Sequence, residues 1–216
     1  MDKKKLTVLV RKAQNGCKES MDSVARHLQP AIYSYIYRMS FDENISNDIS
    51  QDTLLEMCRS IKNLRKPESF KLWLFKTAWG KLKNYYRDEK KTRKMSIEDK
   101  KYLAEKLDKN LKEGLKQVVS EEIANTLLNS LAALDQRYRS VLVLRCYEDM
   151  SYSQIASVMD CSEITARVLF FRAKNKLKIA LTKKGISGSM FTAVLAIFGR
   201  TTSSSRAAVT VSATSM

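Results

Sequence analysis

Glycine and proline are scarce in this sequence, six and two among 216 residues. That removes the turn punctuation an all-β sandwich or barrel requires. Histidine is limited to His27, and the four cysteines, Cys17, Cys58, Cys146 and Cys161, form no C-x-x-C pair. The spacing argues against a zinc site and against a disulfide framework, so the thiols are expected to be small buried groups in a reducing compartment. A glycine-rich phosphate loop is missing, as is any nucleophile–base pair, and neither enzyme activity nor a cofactor or metal is expected. The N-terminal stretch MDKKKLTVLVRKAQNG is charged without the long apolar core of a signal peptide. The longest apolar run, ISGSMFTAVLAIFG at 186–199, falls short of the roughly 20 residues a bilayer span needs. Acidic residues are in deficit as well: 23 Asp plus Glu stand against 39 Lys plus Arg, a net charge of +16.

Such an excess destabilises a compact fold unless a polyanion or acidic partner shares the surface. Nucleic acid is the leading candidate, because Lys and Arg contacts to phosphate release counterions. A basic membrane-surface protein is the rival. The apolar residues fall mostly at helical spacing, with strict alternation only near the C-terminus, which makes an all-α fold the expectation.

Three blocks and a tail follow one another. The first, to about Lys94, opens with a helix over 6–14 that ends at Asn15-Gly16. A second over 18–39 aligns Met21, Val24, Leu28, Ile32, Tyr35 and Met39, and Pro30 should kink or interrupt it. After a turn at Asp42-Glu43-Asn44, a third helix spaces Ile45, Ile49, Thr53, Met57 and Ile61 by four. Its other face carries Asp48, Gln51, Asp52 and Glu56, either a solvated stripe or a surface for a basic protein. A polar, proline-containing loop over 63–69 leads to a helix over 70–94 where Phe70, Trp73, Phe75, Trp79, Tyr85 and Tyr86 alternate with Lys76, Lys81, Lys83 and Arg87. Aromatics at this spacing are usually core, yet with cations and Asn84 they also suit single-stranded DNA, whose bases stack on rings. A division of labour along the helix is expected. The second block, 95–122, is charged with balanced signs and reads as a linker, although Leu103, Leu107, Leu111 and Leu115 recur every four residues.

The third block, 123–183, holds helices over 123–134 and 136–147 and then a helix-turn-helix. A short helix starts behind Ser151, whose hydroxyl can accept a first-turn N–H, and buries Ile155, Ala156 and Met159. Asp160-Cys161-Ser162 breaks the period, Asp160 tolerating a left-handed turn and Ser162 capping the next helix. That helix spaces Ile164, Val168 and Phe171 helically, with Arg167, Arg172, Lys174, Lys176 and Lys178 largely on other faces. A short capped helix followed by a basic one is the layout that places a recognition helix in a DNA groove. The bland alternative is an antiparallel helix pair with a solvated basic face.

In this order the motifs resemble bacterial RNA polymerase sigma factors of the extracytoplasmic-function (ECF) class, over about 6–181. Asp48-Ile49-Ser50-Gln51-Asp52-Thr53-Leu54 resembles the family's D-x-x-Q-E-x-F, and the resemblance implies that Asp48, Gln51, Asp52 and Glu56 dock on the polymerase β′ clamp helices. Phe70 to Ala78 is similar to s-F-x-x-W-L-x-x-I-A, where loop and helix start hold a flipped base of the minus-ten element. That implies DNA roles for Phe70, Trp73, Lys76, Trp79, Lys83, Asn84 and Arg87. Gly80 and Asn84 depart from the family's usual Asn and Asp, and Gly80 weakens its helix by up to about 1 kcal/mol relative to Ala. Ser151 to Ala156 is similar to L-S-x-x-E-I-A and Glu163 to Arg167 to g-T-V-K/R, which implies minus-thirty-five reading by Ser162, Glu163, Thr165 and Arg167, with Arg172 and Lys174 nearer phosphate.

The resemblance implies two small helical domains, a region 2 bundle over 1–94 and a region 4 helix-turn-helix over 123–183, joined by a flexible linker over 95–122. It implies core RNA polymerase (β′ clamp helices and β flap) and promoter DNA as partners, an anti-sigma factor as a candidate partner, cytoplasmic localisation and no stable membrane insertion. The rival reading is a stand-alone helix-turn-helix regulator without polymerase affinity. The tail over 184–216, a low-complexity segment that the family pattern does not cover, leaves three readings open: a disordered tail, a segment docking on the protein or a regulator, and a membrane-associated remnant.

Overall fold

The structure is a computed structural model that describes residues 2–92 and 121–186, and all regular elements among them are helical. The expected linker and most of the tail lie outside the described residues. The chain forms two compact units, one built on α1 to α4 and one on α5, α6, α8 and most of α7, with Ser157–Asp160 grouped with the first.

In the first unit α1 (Lys3–Gln14) ends at Gly16, whose φ of +91° is the left-handed geometry glycine adopts without a steric penalty. The central helix α2 (Lys18–Ser40) buries Val24, Leu28, Ala31, Ile32, Tyr35, Ile36 and Met39. It runs unbroken through Pro30, contrary to the expected interruption. Proline removes one N–H and crowds the preceding turn, but buried residues on both sides of it hold the two halves in one helix.

Phe41, buried with φ +55°, reverses the chain into α3 (Glu43–Ser60), so the turn is tighter than the three-residue one expected. Asp42 caps α3, its Oδ1 accepting the Ile45 N–H at 3.0 Å. The inner face of α3 is small and hydroxylated. The hydroxyls of Ser46, Ser50 and Thr53 donate to the carbonyls of Asp42, Ser46 and Ile49 respectively, so these buried groups need no outside partner. Two short 3-10 turns, Ile61–Asn63 and Pro67–Ser69, lead into α4 (Phe70–Thr92). Phe70, Leu74, Phe75, Ala78, Trp79 and Leu82 of α4 complete the core, each large apolar side chain contributing about 1.5–3 kcal/mol by burial.

The second unit starts with α5 (Glu121–Ala132), which buries Leu127 and Leu131. The Arg139 guanidinium donates to the carbonyls of Leu131, Ala132 and Leu134, satisfying acceptors that the end of α5 leaves open. Asp135 caps α6 (Gln136–Leu142), and a π turn, Val143–Tyr147, prolongs it. Its extra residue rotates Val143, Leu144 and Tyr147 together into the core. After Asp149, at φ +51°, come α7 (Tyr152–Met159) and α8 (Glu163–Thr182).

The cysteines were expected to be buried, but none is fully so: Cys58 is exposed and the others are half-buried. Cys58 falls on the outer side of α3, away from the Ile49–Thr53–Met57 row that the core selects.

Candidate nucleic-acid interface

Three surfaces carry the residues singled out by the sequence, and each is built by its own helix. On α3 the core-facing row leaves the opposite side to Asp48, Gln51 and Asp52, all exposed, and to half-buried Glu56. Glu56 accepts a hydrogen bond from the Ser60 hydroxyl, and Asp52 pairs with Lys81 of α4 at 3.7 Å. An exposed pair of this kind is worth only about 0–1 kcal/mol, so a cationic partner can displace Lys81 at little cost. In the middle of these polar groups stands Leu55, 53% exposed. Sequence reading passed over it in favour of Leu54, which is half-buried. At 100° per residue Leu55 lies between Gln51 and Asp52, which makes an apolar centre with an acidic rim.

On α4 the predicted minus-ten residues divide between core and surface. Phe70 and Trp79 are 0% and 5% exposed, and exposing either would forfeit its burial energy. They are core residues in this structure, not free stacking surfaces, because the inner face of α4 is the one that packs on the bundle. Trp73, Lys76, Lys83, Asn84 and Arg87 occupy the outer side, Trp73 half-buried against the Phe70 ring at 5.8 Å and the other four exposed. Gly80 sits among them, and a Cβ added there would meet nothing within 4 Å.

The loop leading into α4 is fixed from α1. The Gln14 side-chain amide donates to the carbonyls of Ile61 at 3.0 Å and Leu64 at 2.8 Å, and Arg11 pairs with Glu68 at 2.8 Å. Neither Gln14 nor Arg11 was singled out by sequence reading, because their partners lie about fifty residues away and no local pattern links them.

The helix-turn-helix forms as the sequence predicts at its caps. The Ser151 hydroxyl accepts the Gln154 N–H at 3.2 Å while the Gln154 side chain accepts the Ser151 N–H at 2.8 Å, a reciprocal capping box. Ile155, Ala156 and Met159 are buried, Asp160 has φ +55°, and Ser162 caps α8 by accepting the Thr165 N–H at 3.0 Å. The hydroxyls of Ser162 and Thr165 also bond to each other at 2.8 Å. Arg167 is held by Glu163 at 2.6 Å and lies over the Tyr152 ring at 4.7 Å. Arg145 approaches the same ring at 5.3 Å, so Tyr152 orients two guanidinium groups, a role no motif announced. All six predicted residues, Ser162, Glu163, Thr165, Arg167, Arg172 and Lys174, are exposed.

The inner face of α8 is not the one formed by its bulkier apolar residues. Ala166, Ala173, Leu177 and Leu181 are buried, whereas Ile164, Val168, Phe171 and Ile179 are 75%, 42%, 63% and 57% exposed. Two alanines on the packed side let neighbouring helices approach closely, and the larger side chains are turned outward. Burial also raises the Cys146 thiol, to about 11, despite the lowering influence of Arg145 and Lys174.

Comparison with known proteins agrees with the order of these surfaces. The family described as Sigma-70 region 2 matches residues 24–92, and Sigma-70, region 4 matches residues 124–177. The RNA polymerase sigma-H factor of Pseudomonas aeruginosa is 27% identical over 177 residues, 80% of this chain and 92% of that protein. The ECF RNA polymerase sigma-E factor of Escherichia coli K12 is 24% identical over 174 residues, 79% of this chain and 91% of that protein. Among solved structures, CnrH in complex with the cytosolic domain of CnrY has a similar fold, with a TM-score of 0.62 at 20% identity, covering 84% of this chain and 99% of that one.

Proposed function

This chain belongs to the sigma-70 family, in the ECF class of RNA polymerase sigma factors, and from that membership we propose which of its residues meet the polymerase and which meet each promoter element. It binds core RNA polymerase and promoter DNA and directs promoter-specific transcription initiation. In our reading, residues 1–94 form the polymerase-binding and minus-ten domain, 123–183 the minus-thirty-five domain, 95–122 the linker and 184–216 a separate tail.

The acidic face of α3 docks on the β′ clamp helices through Asp48, Gln51, Asp52 and Glu56 around Leu55. The observation that carries this reading is an exposed acidic rim on a chain of net charge +16, a sign that repels nucleic acid and attracts a basic protein surface. The outer side of α4 meets the non-duplex minus-ten strand: Trp73 offers a stacking edge, Lys76, Lys83 and Arg87 neutralise phosphate, and Asn84 supplies donor and acceptor groups. Phe70 and Trp79 position that surface from the core. On α8, Arg167 and Glu163 are placed to read base edges in the major groove, Ser162 and Thr165 set the helix start, and Arg172 and Lys174 serve the phosphates.

The β flap is the expected second polymerase contact, and a regulator of the anti-sigma type is a further partner; the CnrH structure, with the cytosolic domain of CnrY bound, supports that arrangement by analogy of fold. The role is one of binding and positioning rather than enzyme catalysis, exercised in the cytoplasm. Reversing the charge at the centre of the acidic rim tests the assignment. Asp52→Lys should abolish co-purification with core polymerase while the helical circular-dichroism signal is retained; undiminished co-purification would remove α3 from the interface.

A further inference from the structure

Four of the six exposed large apolar residues among the described residues lie on one face of α8: Ile164, Val168, Phe171 and Ile179. At 100° per residue they form a single stripe about 23 Å long. Exposed Arg167, Lys174 and Lys178 flank it on one side, and Arg172 and Lys176 on the other. Isolated exposed apolar residues need no explanation, but four aligned on one helix face, interrupted only by half-buried Asn175, mark a surface that is covered in some state.

The chain that follows α8 supplies an occupant of the right length and composition. Gly185, at φ +84°, donates its N–H to the Thr182 carbonyl at 3.1 Å, and the Ile186 N–H reaches back to the Leu181 carbonyl at 3.1 Å. That pair of bonds is a Schellman motif, with the Ile186 and Leu181 side chains both buried beneath it. The helix is therefore stopped at Gly185, and Ile186 is folded back onto Leu181. The sequence then enters its longest apolar run, MFTAVLAIF at 190–198, in a stretch 187–199 with no charged residue. Twelve residues from Ile186 reach about 40 Å when extended, enough to pass Ile164.

Charge selects between occupants. A second copy of α8 laid on the stripe would bring cation rows against cation rows, which is destabilising. An uncharged segment lies between the two rows without that repulsion.

We propose that residues 190–198 dock on the Ile164–Val168–Phe171–Ile179 stripe of α8 and mask its DNA-binding face. The masking consequence rests on the reading of α8 as the recognition helix; the docking does not. The tail then acts as an internal competitor of duplex DNA, one that weakens DNA binding by the chain outside the polymerase complex.

The test compares the full chain with its Leu195→Asp variant, in which the tail carries a charge that the apolar stripe cannot accommodate and the helical units are untouched. Amide exchange over residues 164–179 should be faster in the variant, and Phe171→Ser should give the same acceleration from the receiving side. With the tail docked in nine of ten molecules, the variant should bind a minus-thirty-five duplex about tenfold more tightly. Identical exchange in wild type and Leu195→Asp overturns the docking, as does protection of the wild type that grows with protein concentration, which would assign the stripe to a second copy. Faster exchange with unchanged duplex affinity supports the docking and instead removes α8 from the DNA interface, so the two readings fail separately.

Discussion

Arg167 illustrates how a residue can be organised by weak contacts before it meets its ligand. Its pair with Glu163 is exposed and of the i, i+4 type, worth about 0.3–0.5 kcal/mol, whereas a bidentate contact to a guanine edge discriminates by about 1–3 kcal/mol. If Arg167 reads a base as proposed, that contact is the stronger of the two, and the Glu163 pair with its ring support from Tyr152 yields to DNA. Arg167→Ala should therefore weaken binding to the cognate minus-thirty-five duplex by roughly 1–3 kcal/mol in a titration by fluorescence anisotropy. An equal loss on scrambled duplexes would reassign the arginine to phosphate. The cysteines make a second test at this scale. The thiol is the poor nucleophile and the thiolate the good one, and burial holds the Cys146 thiol protonated to about pH 11. Iodoacetamide at pH 8 should modify exposed Cys58 well before Cys146, as read by peptide mass spectrometry; equal rates would mean that Cys146 is more accessible than its packing indicates.

Among the helices, α4 separates a packed side from an open one, and Gly80 falls on the open side without a neighbour. Glycine inside a helix costs about 0.5–1 kcal/mol relative to alanine. Gly80→Ala should raise the melting temperature by a few degrees, and an unchanged or lower midpoint would show that the backbone there is not helical in solution. The loop before α4 depends on α1 through the two bonds from Gln14. Gln14→Ala leaves two carbonyls without that donor and should cost about 1–2 kcal/mol in chemical denaturation; a variant of wild-type stability would show that water replaces the amide fully.

Helix positions and caps were legible because they rest on local chemistry: Ser151 and Ser162 each accept the N–H their sequence context predicts. The features that were not legible depend on partners distant in sequence. Pro30 is tolerated because residues on both sides of it are buried, which no local rule contains. The packed face of α8 was not legible because Ile164, Val168 and Phe171 outweigh Ala166 and Ala173 on any hydrophobicity scale, although the small residues are the buried ones. The same blindness hid Leu55, Gln14 and Tyr152.

At the scale of the whole molecule, α3 sets an acidic face against a surplus of positive charge. A chain of net charge +16 would associate with nucleic acid of any sequence, so base reading must be supplemented by a protein partner that restricts where it acts. On the proposed assignment, the acidic rim of α3 is the docking site for that partner, and α4 and α8 carry the two DNA-binding surfaces. Neither DNA surface is expected to suffice alone. On that assignment the α4 surface meets the opened minus-ten strand, and the α8 surface has an apolar centre between its cations. The polymerase joins them into one function.

Run-off transcription on a promoter library, with core polymerase and either the wild-type chain or Asp52→Lys, tests this account most directly. The account predicts transcripts from a defined subset of promoters that require the wild-type chain and vanish with the variant. Transcripts independent of the chain, or undiminished with Asp52→Lys, would contradict it.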